Sequence, residues 1–309
     1  MPERPEITLF YEGVDITEDV DILECVHRDV SCGARDCLNL KVDHAEKWLM
    51  WGPQKNDTLR IVRAGYDTKV LFLNTVIPED GAYRILATGA KAVPFTSRWQ
   101  SFEDMTYASI MAMCASECGM GAKQYGVTNA TFEYLLRENA SAPVFMEKLA
   151  NREGAVLKSL GGDFVSIGID YAQALKPVNE VELERDQVSS KYIDRRDQSW
   201  SRVEINTPFG HGIAIDGSVT GQKEIVTDLS VDNDAQAKRW ARGILLMHNR
   251  QSEVLELSMD FNPDYTAMMR VNVNSSTDAN GQWLIHEVEH DLMNGRTKPR
   301  LVRCISTVY

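Results

Sequence analysis

The sequence lacks several patterns that identify common protein classes. No two of its six cysteines are spaced as C-x-x-C, which argues against a zinc ribbon or a thioredoxin-like redox site. No run of 18 apolar residues occurs, so no segment has the composition of a membrane-spanning helix. The opening MPERPEITLF contains no apolar stretch of signal-peptide length. Lys and Arg number 33 against 45 Asp and Glu, a balance that disfavours nucleic-acid binding through phosphate neutralisation.

Phosphate-binding loops, nucleophile elbows and dinucleotide fingerprints are also missing. Gly210-His211-Gly212 is too short to hold a phosphate and predicts a turn. The composition is that of an ordinary globular protein, with 43% hydrophobic and 25% charged residues. The length of 309 residues is enough for two or three domains. We expect a cytoplasmically made protein with reduced cysteines, Cys114 and Cys118 buried on one helix, no membrane insertion and no specific nucleic-acid partner.

One short motif could carry chemistry. His286, Glu287 and His290 spell H-E-x-x-H within GQWLIHEVEHDLMNG. On a helix the two histidines would share a face and could bind one Zn²⁺, with the glutamate as the general base of a peptidase. The apolar residues around the motif fit a helix and a strand equally well, so periodicity does not decide between them.

The neighbouring segments favour a strand. Residues 269–273 alternate between apolar and polar side chains and lead into the turn-rich stretch 275–281, and Asn294-Gly295 opens another turn. A catalytic zinc also needs a third protein ligand, and no His or Glu follows His290. We therefore interpret the motif as part of a β meander and expect no cofactor. A zinc metallopeptidase that uses His286, Glu287 and His290 stays as the alternative.

Residues 1–90 predict a first β-barrel domain. Short β-rich runs with Gly, Asp and Asn between them are typical of a sandwich or barrel. The runs are Ile7–Tyr11, Leu38–Val42, Thr58–Val62, Thr68–Leu73 and Tyr83–Ala87. Trp48, Trp51 and Trp99 lie among polar residues, and we interpret them as partly buried core residues rather than exposed contact anchors.

Residues 91–170 predict an α/β domain of two helices and a hairpin. Ser101 and Asp104 resemble a capping box, which places the first helix between Ser101 and Gly119. A second helix begins near Ser141 and ends at Gly154. The hairpin follows in residues 155–167, around two consecutive glycines.

Residues 171–199 are charged and weakly apolar, and we interpret them as a connector. Residues 200–309 predict a second β-barrel domain with one helix that is capped near Asp234. The order of its last four strands echoes that of the first unit, although no sequence identity supports a duplication. The expected fold class is α+β, mainly β, with two small β-barrels and an inserted α/β domain.

The succession of these segments resembles the phage late control D or tail (baseplate) hub family, which is related to the hub region of VgrG spike proteins. The segments that carry the resemblance are Ala87–Ala92, Ser101–Thr106, Arg137–Ala150 with Gly154, Tyr192–Asp197, Ala235–Arg242, Leu255–Met259 and Trp283–Leu292. His290 corresponds to the histidine of the family's "W-x-V-x-x-V-x-H-x-L" strand, which leaves His286 as a coincidence. The loop Pro263–Thr266 departs from the family pattern because it lacks the usual Gly.

The resemblance implies a structural protein without catalysis. Two tail-tube-like barrels in each copy of a homotrimer would form a ring of six, an adaptor between a six-fold tail tube and a three-fold central spike. The implied partners are the tail tube and central spike proteins of a contractile phage tail or phage-tail-like particle, with tape-measure and baseplate wedge proteins as further candidates. The implied location is the bacterial cytoplasm during assembly and then the virion tail or particle.

Two further expectations follow from this resemblance. The acidic composition suits a lumen that does not retain passing DNA or protein. A tail-tip cell-wall hydrolase is a second alternative, but it would need a pair of carboxylates in a cleft, and the sequence marks no such pair.

Overall fold

The computed structural model describes residues 6–32, 35–43, 45–79, 81–92, 96–185 and 188–305. Residues 6–90 contribute the helix α1 (Ala45–Trp51) and eight strands. The strands are β1 (Thr8–Tyr11), β2 (Val14–Asp15), β3 (Ile22–Val30), β4 (Cys37–Val42), β5 (Thr58–Arg63), β6 (Tyr66–Asp67), β7 (Leu71–Glu79) and β8 (Ala82–Thr88). Alternate residues of β4 and β8 are buried, because one face of the sheet packs on a core around Leu40, Trp48 and Ile85.

The middle of the chain forms small sheets packed with helices. Its elements are β9 (Arg98–Thr106), α2 (Tyr107–Glu117), β10 (Gly121–Tyr125), β11 (Thr131–Ala140), α3 (Ala142–Arg152), β12 (Ala155–Leu160), β13 (Asp163–Gly168) and α4 (Ile169–Ala174). The hairpin β12–β13 and the start of α3 after Ser141 are confirmed. The predicted helix start at Ser101 is wrong. Residues 98–106 pair with β11, and α2 is capped instead by Thr106, whose hydroxyl accepts from the Ser109 N–H.

The remaining elements complete the sheets. They are β14 (Asn179–Glu182), β15 (Ser189–Asp194), β16 (Trp200–Thr207), β17 (Gly210–Ile215), β18 (Gln222–Val226), α5 (Asp234–Asn249), β19 (Glu253–Asp260), β20 (Arg270–Asn274), β21 (Gly281–Asp291) and β22 (Arg296–Arg303). The predicted connector 171–199 is wrong, because β14 bonds to β20 and β15 bonds to β19. Both strands have a largely exposed face, which is why the stretch looks weakly apolar in sequence.

The sheet β16–β18 and the helix α5 share a core with the α/β elements. Trp240 of α5 packs against Phe132 of β11, with ring centroids 6.2 Å apart. Gly212 of β17 lies against α5, where an added Cβ would sit 2.3 Å from the backbone of Ala237. The expected turn at residues 210–212 is thus the start of a strand whose glycine permits close contact with the helix.

Fourteen of the strands form one large sheet that contains two modules with the same topology. We define the N-module as β1, β3, β4, β5, β7 and β8, and the C-module as β14, β15, β19, β20, β21 and β22. In each module the strands, numbered along the chain, lie in the spatial order second, third, sixth, fifth, fourth, first. One pairing differs: β1 is antiparallel to β5, whereas β14 is parallel to β20.

The two modules are joined by the long strand β21. Its first part, Gly281–Leu284, pairs with β20, and its second part, Glu287–Asp291, pairs with β3 of the N-module. The mainly β, α+β fold is therefore confirmed. Neither module closes into a barrel within the described residues, because the shared sheet keeps open edges at β2, β14 and β15.

Candidate functional site

The H-E-x-x-H motif lies in β21, so the predicted strand is confirmed. His286 occupies a β-bulge, where the register between β21 and β22 shifts between Ile285 and Glu287. Four residues of strand separate the two histidines by about 13 Å along the chain axis. Two ligands of one zinc ion must each approach it to about 2 Å. The strand geometry therefore does not suit a shared metal.

The hydrogen bonds of the two histidines also differ. The Nδ1 atom of His286 lies 2.9 Å from the Ser31 hydroxyl, and burial lowers the pKa of its imidazole to about 4. His290 is fully buried and donates from Nε2 to the Tyr265 carbonyl at 2.9 Å. Its Nδ1 then accepts from the Thr297 hydroxyl at 3.1 Å, which uses the lone pair that a metal would need.

Glu287 forms an ion pair of 2.5 Å with Arg28. Within the described ranges no group of three or more His, Cys, Asp or Glu side chains is placed to hold a metal ion. The motif residues act here as separate packing and pairing groups of one strand.

A buried charge cluster that the sequence did not indicate lies where β12 meets β3. The Lys158 ammonium contacts both Asp29 and Asp36, the latter at 3.0 Å. Asp29 also accepts from the Ala267 N–H at 3.0 Å, and Asp36 accepts from the Val30 N–H at 2.9 Å. The cluster therefore fastens the α/β elements to the N-module and to the loop before β20.

Burial disfavours charge on Asp36 and on Lys158. It raises the pKa of the Asp36 carboxyl to about 7 and lowers the pKa of the Lys158 ammonium to about 7. A cavity of about 350 Å³ adjoins the cluster and is lined also by His27 and Tyr66. Burial lowers the pKa of His27 to about 3, and repulsion by the Lys158 ammonium, and by His290 when it is protonated, acts in the same direction. Each carboxylate holds a backbone N–H as well as the ammonium, which is the pattern of a structural cluster.

One face of the large sheet carries charges of both signs in alternation, and we call it the polar face. Its ion pairs cross the strands of both modules. They are Lys41–Glu79, Arg84–Glu79, Arg84–Glu24, Arg28–Glu287, Lys298–Glu289, Arg300–Glu256 and Lys191–Glu256. Because most charges have an opposite neighbour, this face is polar without a strong field of one sign.

Among the strands of the large sheet that have a free side within the part of the chain that the structure describes, β7 and β15 belong one to each module. The outer side of residues 75–79 in β7, which we call the β7 edge, is unpaired because β5 reaches only Leu71 and Phe72. The β15 edge, residues 189–194, pairs on one side only, with β19. Unpaired edges are the natural places for a sheet to bond to another chain.

The sequence also made predictions about the burial of tryptophans and cysteines. Trp48 is fully buried, as expected, whereas Trp99 is 67% exposed, against the expectation of a core residue. Cys114 and Cys118 are buried and free, as expected. No helix in the described residues has both the length and the apolar character needed to cross a membrane.

No protein-family model matches the chain, and no curated protein matches its sequence. Solved structures do match its fold. The 43 kDa tail protein of prophage MuSo2 from Shewanella oneidensis is 13% identical, with a TM-score of 0.69 and 97% of each chain covered. The tail protein from Neisseria meningitidis MC58 is also 13% identical, with a TM-score of 0.74 and 96% of each chain covered.

A third similar structure is the c3393 protein of E. coli, a component of the type VI secretion system with structural similarity to the T4 bacteriophage tail proteins gp27 and gp5. It is 9% identical, with a TM-score of 0.60 over 97% of this chain and 77% of that one. The chain therefore has the fold of phage tail proteins and of a structurally related type VI secretion component, in agreement with the resemblance of its segments to the tail hub family.

Proposed function

We propose that this protein is a structural hub of a contractile phage tail or phage-tail-like particle. The observation that carries the proposal is the pair of modules with one strand order inside a single chain. The whole-chain likeness in fold to phage tail proteins supports the same role.

The proposed assembly is a homotrimer. Three copies with two equivalent modules each present six similar units in a ring. The α/β elements outside the modules occur three times in the same ring. Such a ring can meet a six-fold tail tube on one side and a three-fold central spike on the other, since closed cyclic interfaces allow both symmetries. The tail tube and central spike proteins are the proposed partners, with tape-measure and wedge proteins as further ones.

The polar face is the proposed wall of the ring's channel. Its ion pairs leave few charges without a neighbour, so the wall would offer little attraction to a passing polyanion or protein. We therefore propose a channel wall of paired charges in place of the acidic wall that the composition suggested. We propose no catalytic role and a location in the bacterial cytoplasm before incorporation into the particle.

Native mass spectrometry and electron microscopy of the purified chain test this proposal. We expect a mass of three copies and particles with a ring-shaped view. The chain should also sediment with tails purified from the producing strain. A monomer at all accessible concentrations, together with absence from the particle, would contradict the proposal. A zymogram on cell-wall material tests the hydrolase alternative, for which Asp29, Asp36 and Asp67 are the carboxylates that line the cavity beside Lys158.

A further inference from the structure

The junction between the two modules inside one chain supplies a template for a junction between copies. The fifth strand of the C-module, β21, pairs antiparallel with the second strand of the N-module, β3. The corresponding fifth strand of the N-module is β7, and the corresponding second strand of the C-module is β15. These two strands carry the β7 edge and the β15 edge, which are unpaired within the described residues.

The correspondence holds residue by residue. In β7 the register against β8 shifts between Leu73 and Thr75, and in β21 the register against β22 shifts between Ile285 and Glu287. Ile77 lies three residues after the bulge residue in β7, and Glu289 lies three residues after the bulge residue in β21, so the two positions are equivalent. The pairing of the second strand with the third, β3 with β4 and β15 with β19, places Ile193 at the position of Arg28.

We propose that the β7 edge of one copy pairs antiparallel with the β15 edge of the next copy, as β21 pairs with β3 within a copy. Glu289 lies opposite Arg28 and Asp291 lies opposite Val26 in the internal junction. Transfer of that register puts Ile77 opposite Ile193 and Glu79 opposite Lys191. The proposal rests on the proposed trimeric hub for the number of copies, but the strand pairing itself comes from the internal junction.

The side chains suit these pairings. Ile77 is 39% exposed, an unusual position for isoleucine beside the charged residues of the polar face, and Ile193 would cover it. Glu79 and Lys191 carry opposite charges and would extend the row of ion pairs across the junction. In the internal junction, Val288 and His290 occupy the positions of Val76 and Pro78, and both are fully buried.

Pro78 fits the same arrangement. In the internal junction the Leu292 N–H bonds to the Cys25 carbonyl, so by alternation His290 also directs its backbone groups to β3. Pro78 corresponds to His290 and therefore faces outward, where its missing N–H removes no bond to β8. The junction between copies would therefore have one backbone bond fewer than the internal junction.

Engineered cysteines test the register. Ile77 and Ile193 would form a non-hydrogen-bonded pair with Cα atoms about 4.5 Å apart, inside the roughly 4.4–6.8 Å range of disulfides. We expect the double variant Ile77→Cys, Ile193→Cys to move most of the chain into covalent dimers and trimers on a non-reducing gel after mild oxidation. Each single variant should stay mostly monomeric on the gel, and an equal mixture of the two single variants should give dimers only.

The matched control is Thr75→Cys, Ile193→Cys, which places the cysteines diagonally with Cα atoms about 7–8 Å apart, beyond the range of disulfides. Equal cross-linking of this control would overturn the register. Native mass spectrometry of the reduced double variant separates the remaining outcomes. A trimer that gives no cross-link overturns the strand pairing and leaves the hub proposal standing, whereas a monomer without cross-links overturns both.

Discussion

Asn74 in β7 and His286 in β21 occupy equivalent positions in the two modules. Each is the unpaired residue of the bulge that the fifth strand makes against the sixth. Their surroundings differ. Ser31, the residue after β3, lies beside His286 and contributes its hydroxyl, whereas Asn74 is exposed at the start of the β7 edge. The H-E-x-x-H string thus arises from two module positions: a bulge residue and a buried residue four places later.

Reversal of the proposed inter-copy ion pair should weaken assembly. Glu79→Lys would place two positive charges opposite each other at all three junctions, at a cost of up to about 1 kcal/mol each. We expect the trimer to dissociate at higher protein concentration in sedimentation velocity experiments. Addition of Lys191→Glu should restore much of the loss.

The control for this reversal is Lys298→Glu. Lys298 pairs with Glu289 on the same polar face but away from either edge. It should leave the dissociation concentration nearly unchanged. Equal weakening by Lys298→Glu would show that total charge, rather than the junction, governs assembly.

Removal of the Lys158 ammonium should destabilise the fold strongly. Lys158→Met leaves two buried carboxylates without their counter-ion, and loss of one partner from a buried ion pair costs about 3–5 kcal/mol. Urea denaturation of the purified variant measures the change in the free energy of unfolding. Lys123→Met is the control, because its ion pair with Asp163 is exposed and worth at most about 1 kcal/mol. A loss below 1 kcal/mol in Lys158→Met would mean that the cluster is not structural.

Much of the fold could be predicted from local signals, and the errors have a common cause. The strand around His290 was predictable because turn residues flank it on both sides. The helix at Ser101 was mispredicted because a capping box is a local pattern, whereas β9 is fixed by pairing with β11, about thirty residues away. The strands β14 and β15 were missed because exposed edge strands bury too few residues to show alternation.

The candidate site was less predictable than the fold. The partners of Lys158 lie more than 120 residues away in sequence, and no spacing rule connects them. The sequence indicated the repeated topology only through a similar order of strands, because the two modules share strand arrangement and not residue identities. Pairing registers made the equivalence of β7 with β21 explicit.

The zinc alternative gives a direct prediction. We expect protein purified without added metal to contain far less than one zinc per chain by elemental analysis. His290→Ala should lower the free energy of unfolding by about 2 kcal/mol or more, since it removes a fully buried ring that contacts Tyr66 and Thr297. Stoichiometric zinc that disappears in His286→Ala would contradict our interpretation.

Stability should fall as the pH falls from 6.5 towards 4. Burial lowers the pKa of His27 to about 3 and the pKa values of His286 and His290 to about 4, so the folded state keeps them neutral while the unfolded state takes up protons below pH 6.5. Asp36, whose pKa burial raises to about 7, acts in the opposite direction, because the folded state binds its proton first. The net difference of about two protons gives a slope of about 2.7 kcal/mol per pH unit within this window.

Urea midpoints between pH 7 and pH 4.5 measure this slope. His290→Asn should reduce it by about one proton, or about 1.4 kcal/mol per pH unit. His211→Asn is the matched control, because the His211 side chain is 50% exposed and pairs with Glu204 at the surface. A slope that is insensitive to His290→Asn but sensitive to His211→Asn would assign the acid sensitivity to the surface rather than to the junction of the two modules, where His290 lies opposite His27.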